Sequence, residues 1–338
     1  MQRIFLLLIL FSILLSSNEQ VKIGVLAKRS SDITLAEYKA TAEYLTQEMN
    51  GYEFQIIPIS FAEMQENVAQ NNIDFLITNT MDYVTLEYLY GVSRIATLKN
   101  LNSNKTTTTS FGSAIIVPQT SKIETLVDLK RKAIGAVDAN SFGGWIMALK
   151  ELKDNGVEER HFKSLTFYGS HDQVVFAVRD GMIDAGIVRS DTLERMEREG
   201  LINLECCKVV EPKIYKNFSF AVTTKLYPEW PFAKLSTTSE ALANEVLVAL
   251  LKITPESKMA TDAGIAGWTI PLDYSGVHDV MQELHVGPYK ELAKLSLERF
   301  YNKYKFLFYS VIIVFLIVVG VLAYIYKLNK NYMKIKNI

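Results

Sequence analysis

Cysteine is nearly absent from this chain. Its 338 residues hold two, Cys206 and Cys207, side by side. Adjacent cysteines rarely bridge each other, because the resulting ring is strained, so a disulfide-dependent fold is not expected. Histidine is equally sparse: the four residues His161, His171, His278 and His285 are scattered, and none falls in a zinc spacing. No metal site and no cofactor are expected. An excess of charge is missing too. The 36 basic residues balance 37 acidic ones, for a net charge of −1, which argues against a polyanion-binding surface and against a nucleic-acid partner. The Walker loop, the kinase nucleotide motifs and the Gly-x-Ser-x-Gly elbow are all lacking. Ser141, His171 and Asp172 can be drawn as nucleophile, base and orienter, but Asp172 adjoins His171 in sequence, where it seldom supports the ring from behind. An enzyme is not expected.

Two apolar runs are present, one at each end. Phe306–Tyr326 carries no charge over 21 residues; at the rise of an α-helix this spans about 30 Å, the thickness of a bilayer core. Tyr301, Lys303, Tyr304 and Lys305 before it, and Lys327 after it, suit an interface. A single transmembrane helix at 306–326 is expected, with 327–338 as a short cytoplasmic tail. Lys327, Lys330, Lys334 and Lys336 agree with that orientation, whereas Arg299, Lys303 and Lys305 on the other side weaken it. Leu328, Tyr332 and Ile335 fall at helical spacing, as in a helix that continues the span. The first run, Ile4–Leu15, is shorter, follows Arg3 and ends in Ser16 and Ser17. Residues 1–17 read as a signal peptide or an uncleaved N-terminal anchor. A membrane-tethered domain outside the cytoplasm follows from the two runs together.

Between them, strand and helix patterns alternate. Val21–Ala27, Phe54–Ile59, Ile73–Thr78 and Ser93–Leu98 are apolar and β-prone. Thr34–Met49, Phe61–Gln70 and Met81–Leu89 have helical spacing. After Phe111–Pro118 a second unit alternates in the same way: strands at Ala133–Val137, Leu165–Tyr168 and Ala185–Val188, helices at Gly144–Asp154, Asp172–Asp180 and Thr192–Glu199. Phe218–Thr224 repeats the character of Phe111–Val117, and a long helix, Ser239–Ile253, follows. This pattern predicts an α/β chain of two lobes around parallel or mixed sheets. Lobe 1 is expected from 18–114 and 218–299, and lobe 2 from 115–217, with Phe111–Val117 and Phe218–Thr224 as the crossing strands. Such an architecture leaves a ligand cleft at strand ends and helix starts, closed by a hinge.

Four strand-to-helix junctions carry residues able to bind a ligand there. Thr78, Asn79 and Thr80 offer hydroxyl and amide groups beside free N–H groups at a helix start, although the same residues would serve as a plain N-cap. Tyr83, in the helix they open, joins them. Ser141, Phe142, Gly143, Gly144 and Trp145 combine a hydroxyl, two glycines that admit a close backbone approach, and aromatic walls. His171, in Gly169–Asp172, either donates to an anion or caps its helix locally. Arg189, at the end of an apolar strand, either grips an oxyanion with its guanidinium or pairs with Asp191 or Glu194. Trp268 adds an aromatic wall or belongs to the core; Lys28 and Arg94 are expected at the surface. Together the junctions describe a pocket rich in donors and poor in fixed acids, suited to a small anionic ligand.

At the stretches SFGGW (Ser141–Trp145), GSHDQVVFAVRDGMIDAGIVRSDTLERM (Gly169–Met196) and AGWTIPLDYSGVHDVMQEL (Ala266–Leu284), the chain resembles the phosphate/phosphonate-type periplasmic binding proteins. Within them it is most similar to the sensor domains of tetrathionate- and thiosulfate-type histidine kinases. The resemblance covers most of Val21–Leu284. It implies a two-lobed, type II Venus-flytrap fold that closes on a small oxyanion, with a sulfur oxyanion the leading class, and passes closure through the membrane helix to a kinase. The residues after the membrane helix are too few to hold a phosphoacceptor helix pair or an ATP-binding domain, so sensing requires a histidine kinase or another signalling partner supplied elsewhere. The alternative is the substrate-binding protein of an ABC importer, tethered beside its permease.

Overall fold

Alternation of short apolar strands with amphipathic helices is what the computed structural model displays, over residues 18–101 and 106–336. The expected signal peptide or anchor, 1–17, lies outside these described residues. The chain opens with β1 (Glu19–Leu26), α1 (Ser31–Glu48), β2 (Tyr52–Ile59), α2 (Met64–Ala69), β3 (Phe75–Ile77), α3 (Thr80–Tyr90) and β4 (Ser93–Leu101). It then passes through β5 (Thr107–Thr108) and β6 (Ser110–Phe111) into a second unit. This comprises β7 (Ser113–Pro118), β8 (Ala133–Ala136), α4 (Met147–Asp154), β9 (Ser164–Phe167), α5 (His171–Arg179), β10 (Ala185–Arg189), α6 (Thr192–Arg198) and β11 (Cys207–Val209). A hairpin, β12 (Lys213–Tyr215) and β13 (Phe218–Val222), precedes β14 (Tyr227–Pro228), β15 (Pro231–Lys234), α7 (Glu240–Leu251), α8 (Lys258–Ala263), β16 (Gly267–Thr269) and α9 (Ser275–Leu284).

Two main sheets result. One has the order β16-β4-β15-β3-β1-β2 with β5 beside β4; the other is β11-β7-β10-β8-β9. Each is mixed. β1 is parallel to β2 and β3, whereas β15 runs antiparallel to β3 and β4. β8 is parallel to β9 and β10, whereas β7 is antiparallel to β10. In the first core, Phe232 packs edge-on against Trp268 at 5.3 Å and tilts against Phe75 at 5.5 Å. In the second, Val174, Val178, Val188 and Met196 are fully enclosed.

The chain crosses between the sheets where β6 and β14 pair antiparallel, Phe111 opposite Tyr227 and Ser110 opposite Pro228. Phe218–Thr224 was expected to make the return crossing, but it does not. Asn217, at φ +64°, turns the chain so that β13 folds back on β12, and Thr223 N then donates to Ser113 O at 2.8 Å. Phe218, Phe220 and Val222 bury one alternating face in a small cluster of their own with Tyr215 and Leu226. Alternation marks a half-buried strand but not its partner.

Residues up to Gly287 form one compact unit and Pro288–Ile338 a second. The second consists of α10 (Lys290–Lys336). Its segment Phe300–Lys327, which holds an 18-residue stretch of mean hydropathy 3.0, is long and apolar enough to cross a membrane.

Candidate functional site

The strand ends of the two sheets face each other, and ion pairs join them. Arg29 follows β1. Its guanidinium donates to Asp172 at 2.9 Å and to both Glu199 oxygens at 3.1 and 2.8 Å, all on the side of the second sheet. Arg195 completes this group on Asp172 and Glu199. At the β6–β14 crossing, Glu229 is almost completely buried, at 1% exposure, and receives a two-pronged bond from Arg189 of β10. Asn100 Nδ2 donates to the same carboxylate at 2.8 Å. On the far side, Lys150 of α4 meets Glu283 of α9 at 3.0 Å.

Arg189 is the centre of this arrangement. Its Nε donates to Asp191 at 3.1 Å, and its guanidinium lies 4.3 Å over the Phe111 ring. Burial pulls the guanidinium pKa down, but Asp191 and Glu229 outweigh it and hold the group firmly charged. Three of its N–H groups are committed to these carboxylates, and a guanidinium has five. Arg189 thus pairs with Asp191, as one sequence reading had it, but its principal partner is Glu229. Neighbouring His171 is buried, and its Nδ1 accepts from Arg189 N at 3.1 Å. Burial, reinforced by Arg189, Lys28 and Arg195, holds its pKa well below the ordinary 6.5. The ring is therefore neutral with its proton on Nε2, a fixed donor.

A cavity of about 300 Å³ opens between the sheets beside these groups. Lys28, Tyr38 and Trp230 line it from the first sheet, and Arg189, Arg195 and Arg198 from the second. Lys28 Nζ sits 5.6 Å over the Trp230 ring, within the cavity rather than on the outer surface expected of it. Glu37, Asp191, Glu199 and Asp262 also line it, so it is not poor in acids: Glu37 lies 3.8 Å from both Lys28 and Arg29 on its own side, Asp191 receives Arg189, and Glu199 receives Arg29 from across the cleft.

The Thr78–Asn79–Thr80 junction forms a second cluster. Asn79 caps α3, its Oδ1 accepting from Met81 N at 2.9 Å and Asp82 N at 3.1 Å. Its Nδ2 and Thr78 Oγ1 both bond Asp82 Oδ2, at 2.6 and 3.3 Å. Burial raises the Asp82 carboxyl to about 8; the bonds from Thr78 and Asn79 oppose the shift, and the charge of Asp138 in the opposite unit adds to it. Asp138 O accepts from Ser141 N at 3.0 Å, so the Asn79 and Ser141 junctions lie within electrostatic reach of each other. Thr80 Oγ1 is buried with no hydrogen-bond partner.

Other sequence candidates are committed to packing. Ser141 Oγ accepts from Gly144 N at 3.1 Å and caps the π-turn Phe142–Ile146. A Cβ on Gly144 would meet Val137 Cγ2 at 2.4 Å, and one on Gly143 would meet Phe111 Cε2 at 2.9 Å; close packing alone accounts for both glycines. Phe142 stands edge-on to Tyr227 at 5.1 Å, beside the crossing, and Trp145 packs on Phe167 at 6.0 Å. Tyr83 is fully buried, donating to Glu87 at 2.6 Å and accepting from Arg94 at 3.1 Å. Arg94 also donates to Leu272 O at 3.1 Å and is thereby held in the first unit. Trp268 is core, its Nε1 without a partner. Sequence reasoning singled out neither Glu229, Arg29 nor Tyr38. An acid inside the apolar run Tyr227–Phe232 was the signal for the first, and a cation at the end of β1 for the second.

Against known families, residues 23–274 match the model of the ABC transporter phosphonate periplasmic substrate-binding protein. The chain belongs to this family. The tetrathionate sensor histidine kinase TtrS of Salmonella typhimurium is 31% identical over 296 residues, covering 87% of this chain and 49% of the kinase. The chain thus spans about half the length of that curated relative. Among solved structures, the binding-protein component of a phosphonate ABC transporter from Pseudomonas aeruginosa superposes with a TM-score of 0.66 at 16% identity, covering 86% of this chain and 97% of that one. PhnD1 of Prochlorococcus marinus, in complex with methylphosphonate, gives 0.64 at 17%, covering 79% and 98%. The aliphatic sulphonate binding protein SsuA of Escherichia coli gives 0.55 at 14%, covering 80% and 94%. At these identities the structures establish the fold alone: a periplasmic binding protein fold, here with one apolar helix near its C-terminal end. The chain is a periplasmic solute-binding domain.

Proposed function

We propose that this chain is a membrane-anchored sensor domain that binds a small sulfur oxyanion, tetrathionate or a close relative, between its two sheets. The observation that carries the reading is the 31% identity with a tetrathionate sensor across 87% of this chain. A cavity whose walls bring Lys28, Arg189, Arg195 and Arg198 together from both sheets supports it. The ligand is held by the N–H groups that Arg189 keeps free and by the His171 Nε2 donor. It closes the lobes as it draws these cations together, and the apolar helix Phe300–Lys327, seated in the inner membrane, carries the change to a histidine kinase. The chain itself performs no catalysis. A thermal-shift panel on the full chain in detergent tests the reading: tetrathionate or thiosulfate raises the melting temperature and methylphosphonate does so less. Stabilisation by phosphonates alone contradicts it.

The family model favours a second reading, the binding protein of an ABC importer. Recovery of a permease and ATPase with the tagged chain, in place of a kinase, selects that reading.

A further inference from the structure

The two cysteines take no part in the cleft, yet they are placed as a reactive pair. Cys206 ends the 3-10 turn Leu204–Cys206 and Cys207 begins β11. Both thiols are free, and Cys206 Sγ donates to Cys207 Sγ at 3.0 Å. Backbone bonds fix the pair from both sides: Cys206 N donates to Asn203 O at 2.9 Å, and Gln119 N to Cys206 O at 3.1 Å. The two sulfurs differ in access. Cys206 is half-buried, whereas Cys207 is buried in the core of the second sheet, and burial pushes the Cys207 thiol up. Arg179, on the last turn of α5, lies within electrostatic range of both sulfurs. Cys207 also lines a cavity of about 380 Å³ shared with Arg189, Ser190 and Asp191.

We infer that Cys206 and Cys207 form an oxidisable dithiol that reacts with sulfur oxyanions containing an S–S bond, the polythionates. The inference takes its oxidant from the proposed ligand class. The Cys206 thiolate attacks a sulfane sulfur of tetrathionate; a new S–S bond forms, the central S–S bond breaks, and thiosulfate leaves with the electron pair. Cys207 then gives its proton to water and attacks the Cys206 sulfur, expelling a second thiosulfate and closing the vicinal disulfide. Two thiols are oxidised by two electrons, one tetrathionate is reduced to two thiosulfates, and two protons enter solvent. Ring strain makes the product readily reducible, the property of a resettable bond rather than a structural one. Closure of the ring alters the peptide that starts β11, and so the wall of the cavity that reaches Arg189.

The test uses the full chain in detergent, reduced and desalted, with tetrathionate as the probe. Thiol titration falls from two to zero, and intact mass drops by two hydrogens. Cys207→Ser stops at the first step and retains a thiosulfate adduct on residue 206. Cys206→Ser reacts far more slowly. Oxidised glutathione at the same concentration leaves the pair reduced. Two titratable thiols after tetrathionate treatment, or equal oxidation by glutathione disulfide, overturn the inference. A Cys206→Ser/Cys207→Ser chain separates it from the binding reading: thermal stabilisation by tetrathionate in that variant leaves ligand binding intact whatever the thiols do. If the reduced pair is inert and the double variant is still stabilised, only the dithiol proposal fails.

Discussion

Replacing Arg189 by alanine leaves the Glu229 carboxylate, 1% exposed, with only Asn100 Nδ2 at 2.8 Å and Trp230 N at 3.3 Å. Removing one member of a buried ion pair costs about 3–5 kcal/mol, chiefly because the survivor stays desolvated without its counter-charge. Arg189→Ala belongs near the top of that range. Glu229→Gln belongs near the bottom, because Arg189 keeps Asp191, whose side chain is 32% exposed and 3.1 Å away. In a domain of this size about 1 kcal/mol corresponds to about 2–4 °C, so the glutamine variant melts about 10 °C below the parent and the alanine variant lower still. The double variant Arg189→Ala/Glu229→Gln removes both charges together and melts above the temperature that adding the two single losses predicts, with a coupling of at least about 1 kcal/mol. Circular dichroism melts of the full chain in detergent read all of these. A loss under about 2 °C for either single variant, or strict additivity in the double, refutes the view that this pair ties β10 to the crossing.

Three further outcomes follow from the same geometry. Asp82, raised to about 8 from an ordinary 3.8, is protonated in the fold and ionised in the unfolded chain at neutral pH; its share of stability is present in full below about pH 4 and is lost as pH rises through 8. Melting temperature therefore falls between about pH 7.5 and 8.5, above the pH near 6.5 at which His171 titrates in the unfolded chain. Asp82→Asn flattens that slope in large part, with the raised carboxyl of Glu194 leaving a residue of the same sign; an unchanged slope refutes the assignment. Gly144→Ala drives a Cβ into Val137 and costs about 1–3 kcal/mol, so wild-type stability in that variant overturns the packing account of the paired glycines. Arg29→Ala cuts the links to Asp172 and Glu199 and leaves each unit folded; it weakens tetrathionate binding several-fold by loosening the closed form, and an unchanged affinity removes Arg29 from closure.

Much of this molecule was legible in its sequence. Periodicity located α1 and α3 to within three residues, because both carry a buried stripe and an N-cap, Ser30 and Asn79. The apolar span near the C-terminal end was equally plain. The strands β11, β12, β14, β15 and β16 escaped notice because each is two to four residues long, too short for a period to show. Of the residues proposed from sequence, Arg189 lines the cavity between the sheets, His171 accepts from its backbone N–H, and the Asn79 junction forms a separate cluster; all lie at strand-to-helix turns. It missed Glu229 because a carboxylate buried against a guanidinium 40 residues earlier is a tertiary fact that no local pattern encodes. It also read Gly143, Gly144 and Tyr83 for a ligand, where Phe111, Val137 and Glu87 account for them.

The most direct measurement is an isothermal titration of the full chain in detergent with tetrathionate, run on the variant lacking both cysteines so that chemistry does not mix with binding. The account predicts one saturable site whose affinity falls with added salt and is lowered at least about tenfold by Arg189→Ala. The absence of saturable binding by a chain that melts cooperatively, or an affinity indifferent to Arg189, contradicts it.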